Sequence, residues 1–272
     1  LLDGARPPSS MSTAPLEKII RSILRPGFPG LLHAPSDIAV RSMESHIKDI
    51  ATTDLNRLAN LRSEPAVIEQ LITSLARATA SEVPSQHCAR TYHGRYPHRR
   101  RPPSPSCSSC WSESSSLRRS RPGRSPCAPR PGLRRSPNTQ VPLVDPALAA
   151  AALHADTSRL STDLETLGFL FESAVIHDLL VHTEALGGHL YHYRDSNGHE
   201  IDAVITMPNG SWAAIEVKVG GGQVQRGARR LASAIAQIDM APPAFKAVII
   251  GTGFRATLPD GTITFPLHEL RP

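Results

Sequence analysis

The sequence contains no run of about 18 consecutive apolar residues, so no membrane-spanning helix is expected. Residues 1–12 lack a charged stretch followed by an apolar one, which argues against a secretory signal at this position and makes the cytoplasm the expected compartment. Cysteine is scarce, and all four residues, Cys88, Cys107, Cys110 and Cys127, fall in one stretch. Cys107-x-x-Cys110 is half of a zinc motif whose second pair is missing. There is no G-x-x-x-x-G-K-[ST], hence no nucleotide-phosphate cradle, and no G-x-S-x-G, hence no nucleophile elbow. The twelve histidines do not converge: His189 and His192 would not share a strand face, and His177 and His182 are five apart on a helix.

Charge is present but unevenly placed. The chain carries +6, and residues 87–137 alone carry +11, from twelve Arg, no Lys and the single acid Glu113. The remainder is therefore acidic, at −5, and the high overall pI does not by itself point to a polyanionic partner. The same segment holds 11 Ser and 9 Pro, with Leu117 and Leu133 its only aliphatic residues larger than Ala. It cannot bury enough apolar surface to offset chain entropy, so disorder is expected. Three readings compete for it: an Arg/Ser/Pro-rich linker contacting nucleic acid, a partial metal site, and an out-of-frame translation of GC-rich coding DNA.

Around that segment the patterns are orderly. Residues 1–22 are expected to lack regular structure, and 23–85 to form a helical segment. A helix should start at Ser36 as N-cap, and a second should cover 66–78 with Pro65 near its first turn. Residues 138–272 should form an α/β domain. Asp145-Pro146 reads as N-cap and N1 of a short Ala-rich helix. A longer helix over 163–186 carries Leu164, Leu167, Phe171, Val175, Leu179 and Val181 and stops at Gly187-Gly188. Strands are expected at 189–194, 200–207, 212–219, 245–250 and 262–267, with a helix over 224–239. The fold class is α/β: N-terminal helices, a disordered middle, and a C-terminal mixed sheet flanked by helices.

The chemistry concentrates on Glu200-Ile-Asp202 and Glu216-Val-Lys218, on either side of Pro208-Asn209-Gly210. With a three-residue loop, Met207 pairs with Ser211, Asp202 with Glu216, and Glu200 with Lys218. Opposed side chains then share a face about 5 Å apart. A two-residue Asn209-Gly210 loop would put Asp202 and Glu216 on opposite faces. Two carboxylates this close repel unless a cation bridges them. Mg²⁺ or Mn²⁺ suits such a set, with Asp202 and Glu216 as metal ligands and Lys218 polarising water or stabilising charge on phosphorus. Glu172, in the middle of the long helix, is a candidate further acid, and Gln223 could orient a phosphate. The bland counterpart is an exposed strand face with ordinary Glu–Lys pairing.

Six motifs in order carry a resemblance: Pro26-Gly27-Phe28-Pro29, Leu143-Val144-Asp145-Pro146-Ala147-Leu148-Ala149, Gly168-Phe169-Leu170-Phe171-Glu172, Tyr191-His192-Tyr193-Arg194-Asp195, Gly198-His199-Glu200-Ile201-Asp202 and Glu216-Val217-Lys218. Together they resemble the C-terminal part of a prokaryotic family of AAA-type P-loop ATPases that ends in a domain of unknown function, DUF4143. The resemblance implies a restriction-endonuclease-like domain of the PD-(D/E)xK kind, with Glu172, Asp202, Glu216 and Lys218 at the nuclease-like positions and DNA as partner. It also implies that residues 87–137 stand where the family has a winged-helix-like segment. ATP is not an expected ligand of these residues. The alternative is a non-catalytic module that binds nucleic acid or a separate protein partner, or a nonfunctional truncated product.

Overall fold

The computed structural model describes residues 14–54, 64–77, 145–195 and 197–270. The Arg/Ser/Pro-rich segment, its four cysteines, and Leu55, Leu58 and Leu61 lie outside the described residues. The described residues form two compact units, one comprising 20–54, 64–77 and 145–174, the other 14–19 and 175–270.

The first unit is helical. The chain is already helical at α1, Leu16–Leu24, within the stretch expected to lack structure. Leu16, Ile19, Ile20 and Ile23 recur at helical spacing, and the last three are buried, which is the pattern overlooked there. Helix α2 (Ser36–Asp49) runs into a π-helical turn at Ile50–Asp54. Its N-cap is Pro35 rather than Ser36, and no side chain caps it. Helix α3 (Pro65–Arg77) and α4 (Pro146–Ala152) pack with α2. Met43, Ile47, Ile68, Leu71 and Ile72 are buried here, each contributing about 1.5–3 kcal/mol of transfer free energy. α4 is short, Ala-rich and buried on every side, which lets its neighbours approach closely.

Asp145 organises this helical unit. Its Oδ1 accepts the Ala147 N–H at 2.8 Å, the expected N-cap, and Pro146 occupies N1. Its Oδ2 accepts the Gly27 N–H at 2.7 Å, tying together residues 118 apart in sequence. A short helix, α5 (Thr157–Thr162), precedes α6 (Leu164–Ala185). On α6, Leu167, Leu170, Phe171, Val175, Ile176 and Leu179 are buried. Leu164 and Val181, expected on the apolar stripe, are exposed.

The second unit holds a six-stranded mixed sheet in the order β1-β2-β3-β4-β6-β5. β1 (His189–Arg194), β2 (Glu200–Thr206) and β3 (Trp212–Gly220) are antiparallel. β4 (Phe245–Thr252) is parallel to β3, and β6 (Ile263–Pro266) to β4. A two-residue edge strand, β5 (Ala256–Thr257), is too short to show a pattern in sequence. Helix α7 (Val224–Ile235) makes the crossover from β3 to β4. Its Leu231 and Ala234 pack with Ile201, Val204, Trp212 and Ala214, and its Val224 and Ala228 with Val248 and Ile250. The helix ends earlier than the expected 239, its last turns closing as Gln237 N–H to Ala234 O and Ile238 N–H to Ile235 O, each 3.0 Å.

Candidate functional site: a buried carboxylate–lysine cluster

The β2–β3 hairpin has the three-residue loop. Met207 N–H donates to Ser211 O at 2.9 Å, and Gly210 N–H to Met207 O at 3.0 Å. Gly210 has φ +83°, a conformation that costs a side-chain-bearing residue about 1–2 kcal/mol. The resulting register pairs Thr206 with Trp212, Ile205 with Ala213, Val204 with Ala214 and Ala203 with Ile215. It is the register that brings Asp202 to Glu216.

The ladder stops at Ala203–Ile215, one residue short of Asp202. Ile201 would next accept the Val217 N–H. Instead Asp202 Oδ2 takes that proton donor at 2.7 Å. The other edge of β2 shows why. On β1, Tyr191 pairs with Val204 and Tyr193 with Ile201, so His192 alone faces the two residues Asp202 and Ala203. This is a β-bulge, which kinks a strand and re-aims a side chain. Both pairs expected beyond that point, Asp202–Glu216 and Glu200–Lys218, fall outside the β2–β3 ladder, and Glu200 has its partner on the other edge, Arg194 of β1.

Asp202, Glu216 and Lys218 come together within this unit. Lys218 Nζ lies 2.7 Å from Glu216 Oε1 and 3.9 Å from Asp202 Oδ2, and donates to the Val217 carbonyl at 2.7 Å. The cluster is not an exposed strand face: the Glu216 side chain is 4% exposed, Asp202 12% and Lys218 19%. Two buried carboxylates thus share one ammonium. Burial pushes the Asp202 carboxyl above its ordinary range, more than the Lys218 charge and the Val217 amide pull it down. Burial, together with the negative Asp202, pushes Glu216 up to about 7, against the pull of Lys218 and Arg230.

Helix α7 lies directly on this cluster. A Cβ built on Gly227 would sit 3.4 Å from Glu216 Cγ and 3.5 Å from Lys218 Cγ, so the absence of a side chain sets how near the helix comes. Of the other expected residues, Glu172 is on α6 in the helical unit, and Gln223 is exposed at the end of the 3-10 turn that precedes α7.

One residue was set aside that the structure brings to the cluster's edge. His192 Nε2 is 3.2 Å from Glu200 Oε1, and the His192 side chain is 7% exposed. This contact from His192 is the chief reason the Glu200 carboxyl is held below its ordinary range, with Arg194 and Arg230 adding to it. Pairing arithmetic across the turn at 195–198 would have placed His192 near Asp202. Treating the histidines by spacing along one strand hid it.

The donor set is all oxygen: two carboxylates and the Val217 carbonyl. This composition fits Mg²⁺ or Mn²⁺, which take a few protein oxygens and keep several waters. Among the described residues no group of three or more His, Cys, Asp or Glu converges as a metal cage, so water and substrate oxygens would complete such a shell. No described helix is long and apolar enough to cross a membrane. No curated protein and no solved structure matches the chain. Residues 167–270, which hold all six strands and Glu172, Asp202, Glu216 and Lys218, match the family model described as a domain of unknown function, DUF4143.

Proposed function

We propose that the α/β unit is a metal-dependent phosphodiesterase of the PD-(D/E)xK kind, acting on DNA. The observation that carries this reading is the shared burial of Asp202 and Glu216 with only one lysine between them. Burial, and after it the negative charge of Asp202 alongside, pushes the Glu216 carboxyl up to about 7. A divalent cation offsets such a surplus; a purely structural ion pair has no use for the second acid.

Asp202 and Glu216 would hold Mg²⁺ or Mn²⁺, whose charge would activate water and polarise the phosphoryl oxygens. Asp202 is oriented by the Val217 amide, so its free oxygen keeps one direction. Lys218, half-held by Glu216 and the Val217 carbonyl, releases its ammonium to the phosphate oxygens as charge grows there. In the hydrolysis a water oxygen forms the new P–O bond and the P–O bond to the leaving sugar oxygen breaks. The attacking water gives one proton to solvent and the leaving sugar oxygen takes one from solvent, so the products are an alcohol and a phosphate monoester. ATP has no part in this chemistry.

The test is nicking of supercoiled plasmid by purified protein with Mn²⁺. Wild type is expected to nick and Lys218→Ala to be inactive; equal activity in the two removes the assignment. Titration calorimetry with Mn²⁺ separates the alternative. A folded protein that takes up no metal is a non-catalytic binding module.

A further inference from the structure

Helix α7 carries Arg226, Arg229 and Arg230 and no acidic residue, and all three arginines are exposed. None of them makes an ion pair or a side-chain hydrogen bond with a described residue. This placement is costly to the helix itself. Arg226 and Arg230 are one turn apart, where like charges destabilise by about 0.2–0.5 kcal/mol. Arg226 also lies in the first turn, where the helix dipole disfavours a cation. A surface helix with no other task would interleave acids.

The position of this charge is specific. Gly227 fixes the face of α7 that meets Glu216 and Lys218. Leu231 and Ala234 extend that face into the core. At 100° per residue, Arg226 and Arg230 fall along the edge adjoining Gly227, on the side away from Val224 and Ala228. Arg230 is near enough for its charge to bear on both Glu216 and Glu200, and Arg226 lies one turn before it on the same side of the helix. Arg229 points outward, away from the buried stripe.

We infer that Arg226 and Arg230 hold successive phosphates of a nucleic-acid strand whose scissile phosphodiester lies at Asp202, Glu216 and Lys218. The substrate is then a polymer and not a small phosphodiester. Two arginines one turn apart, beside a site that itself takes one phosphate, need a chain of regularly spaced anions. The assignment of the scissile bond rests on the phosphodiesterase reading; the binding of the strand by the α7 edge does not.

The test uses the full chain and a fluorescein-labelled single strand of about 20 nucleotides, longer than the ~4–16-nucleotide footprint of a small module. Binding is followed by fluorescence anisotropy in EDTA, so no cleavage is involved. The wild type is expected to bind, and the Arg226→Ala/Arg230→Ala double variant to bind about tenfold more weakly near 0.1 M salt. The slope of log affinity against log salt should shrink by about 1.4, since each contact to a single strand accounts for about 0.7. The Arg226→Lys/Arg230→Lys variant should keep most of the affinity, and Arg41→Ala, a charge lost from α2 in the helical unit, should change nothing. No binding by the wild type, or equal losses in the Arg41 variant and the α7 double variant, overturns the inference. Metal-dependent nicking that is unchanged in the α7 double variant overturns it while leaving the phosphodiesterase reading intact. Strand binding lost with the α7 arginines, in a protein that never nicks DNA, does the reverse.

Discussion

Asp145 in the helical unit and Asp202 in the sheet unit are both buried aspartates that bind backbone amides, yet they do different work. Asp145 gives one oxygen to the Ala147 N–H and the other to the Gly27 N–H, so both sides of its carboxylate are matched by the fold. Asp202 gives one oxygen to the Val217 N–H and shares Lys218 with a second buried acid, Glu216. Charge in the first case is compensated by local backbone dipoles. In the second, two buried acids share one ammonium, and the proposed cation site rests on that difference. Burial of an acid is therefore a poor sign of function by itself; the number of acids per available donor is the better one.

The widest separation between the two aspartates should appear in activity. Lys218→Ala and Asp202→Asn are expected to cut Mn²⁺-dependent nicking about 100–1000-fold, while Asp145→Asn leaves the rate per folded molecule unchanged. Comparable losses in all three would erase the distinction. Stability against pH gives the next largest difference. The folded Glu216 carboxyl titrates near 7 instead of its ordinary 4.5, so between those values the native state binds more protons than the unfolded one. Stability should therefore fall as pH rises from about 4.5 to 7, by up to a few kcal/mol. Thermal melts of wild type and Glu216→Gln across that range check this, the glutamine removing most of the slope. Mn²⁺ should bind more tightly as pH rises through 7, because binding displaces that proton.

Asp145→Ala should destabilise the helical unit by about 1–2 kcal/mol, the cost of a lost N-cap, seen as a lower melting midpoint. A smaller effect is expected from His192→Gln. Glu200 loses the partner that most lowers its pKa, so its carboxyl, followed by NMR, should titrate higher, with nicking changed only a few-fold.

Much of the sheet unit was legible from residues alone, because strands and turns announce themselves locally. Pro208-Asn209-Gly210 marked the turn, and the three-residue loop was favoured over Asn209-Gly210 alone because it puts Asp202 and Glu216 on one face. Asp145-Pro146 fixed the start of α4 for the same local reason. The helix at Leu16–Leu24 was missed, although four of its five aliphatic residues, Leu16, Ile19, Ile20 and Ile23, lie at helical spacing. Glu172 illustrates the limit: its motif resembles a nuclease position, and it stands on α6 in the unit other than the one that holds Asp202.

The sequence by itself determined the place of the turn between β2 and β3, the residue types at the cluster and the N-cap at Asp145, since each depends on neighbours a few residues away. Only the tertiary structure decided three other things. The bulge opposite His192 ended the β2–β3 ladder before Asp202 and freed its carboxylate for the Val217 amide. Helix α7 comes close to Glu216 and Lys218 at Gly227, where there is no side chain to hold it off. Burial then raised the carboxyl pKa values. These depend on which strand and which helix lie alongside, and desolvation is a property of the surroundings that no single stretch of sequence carries.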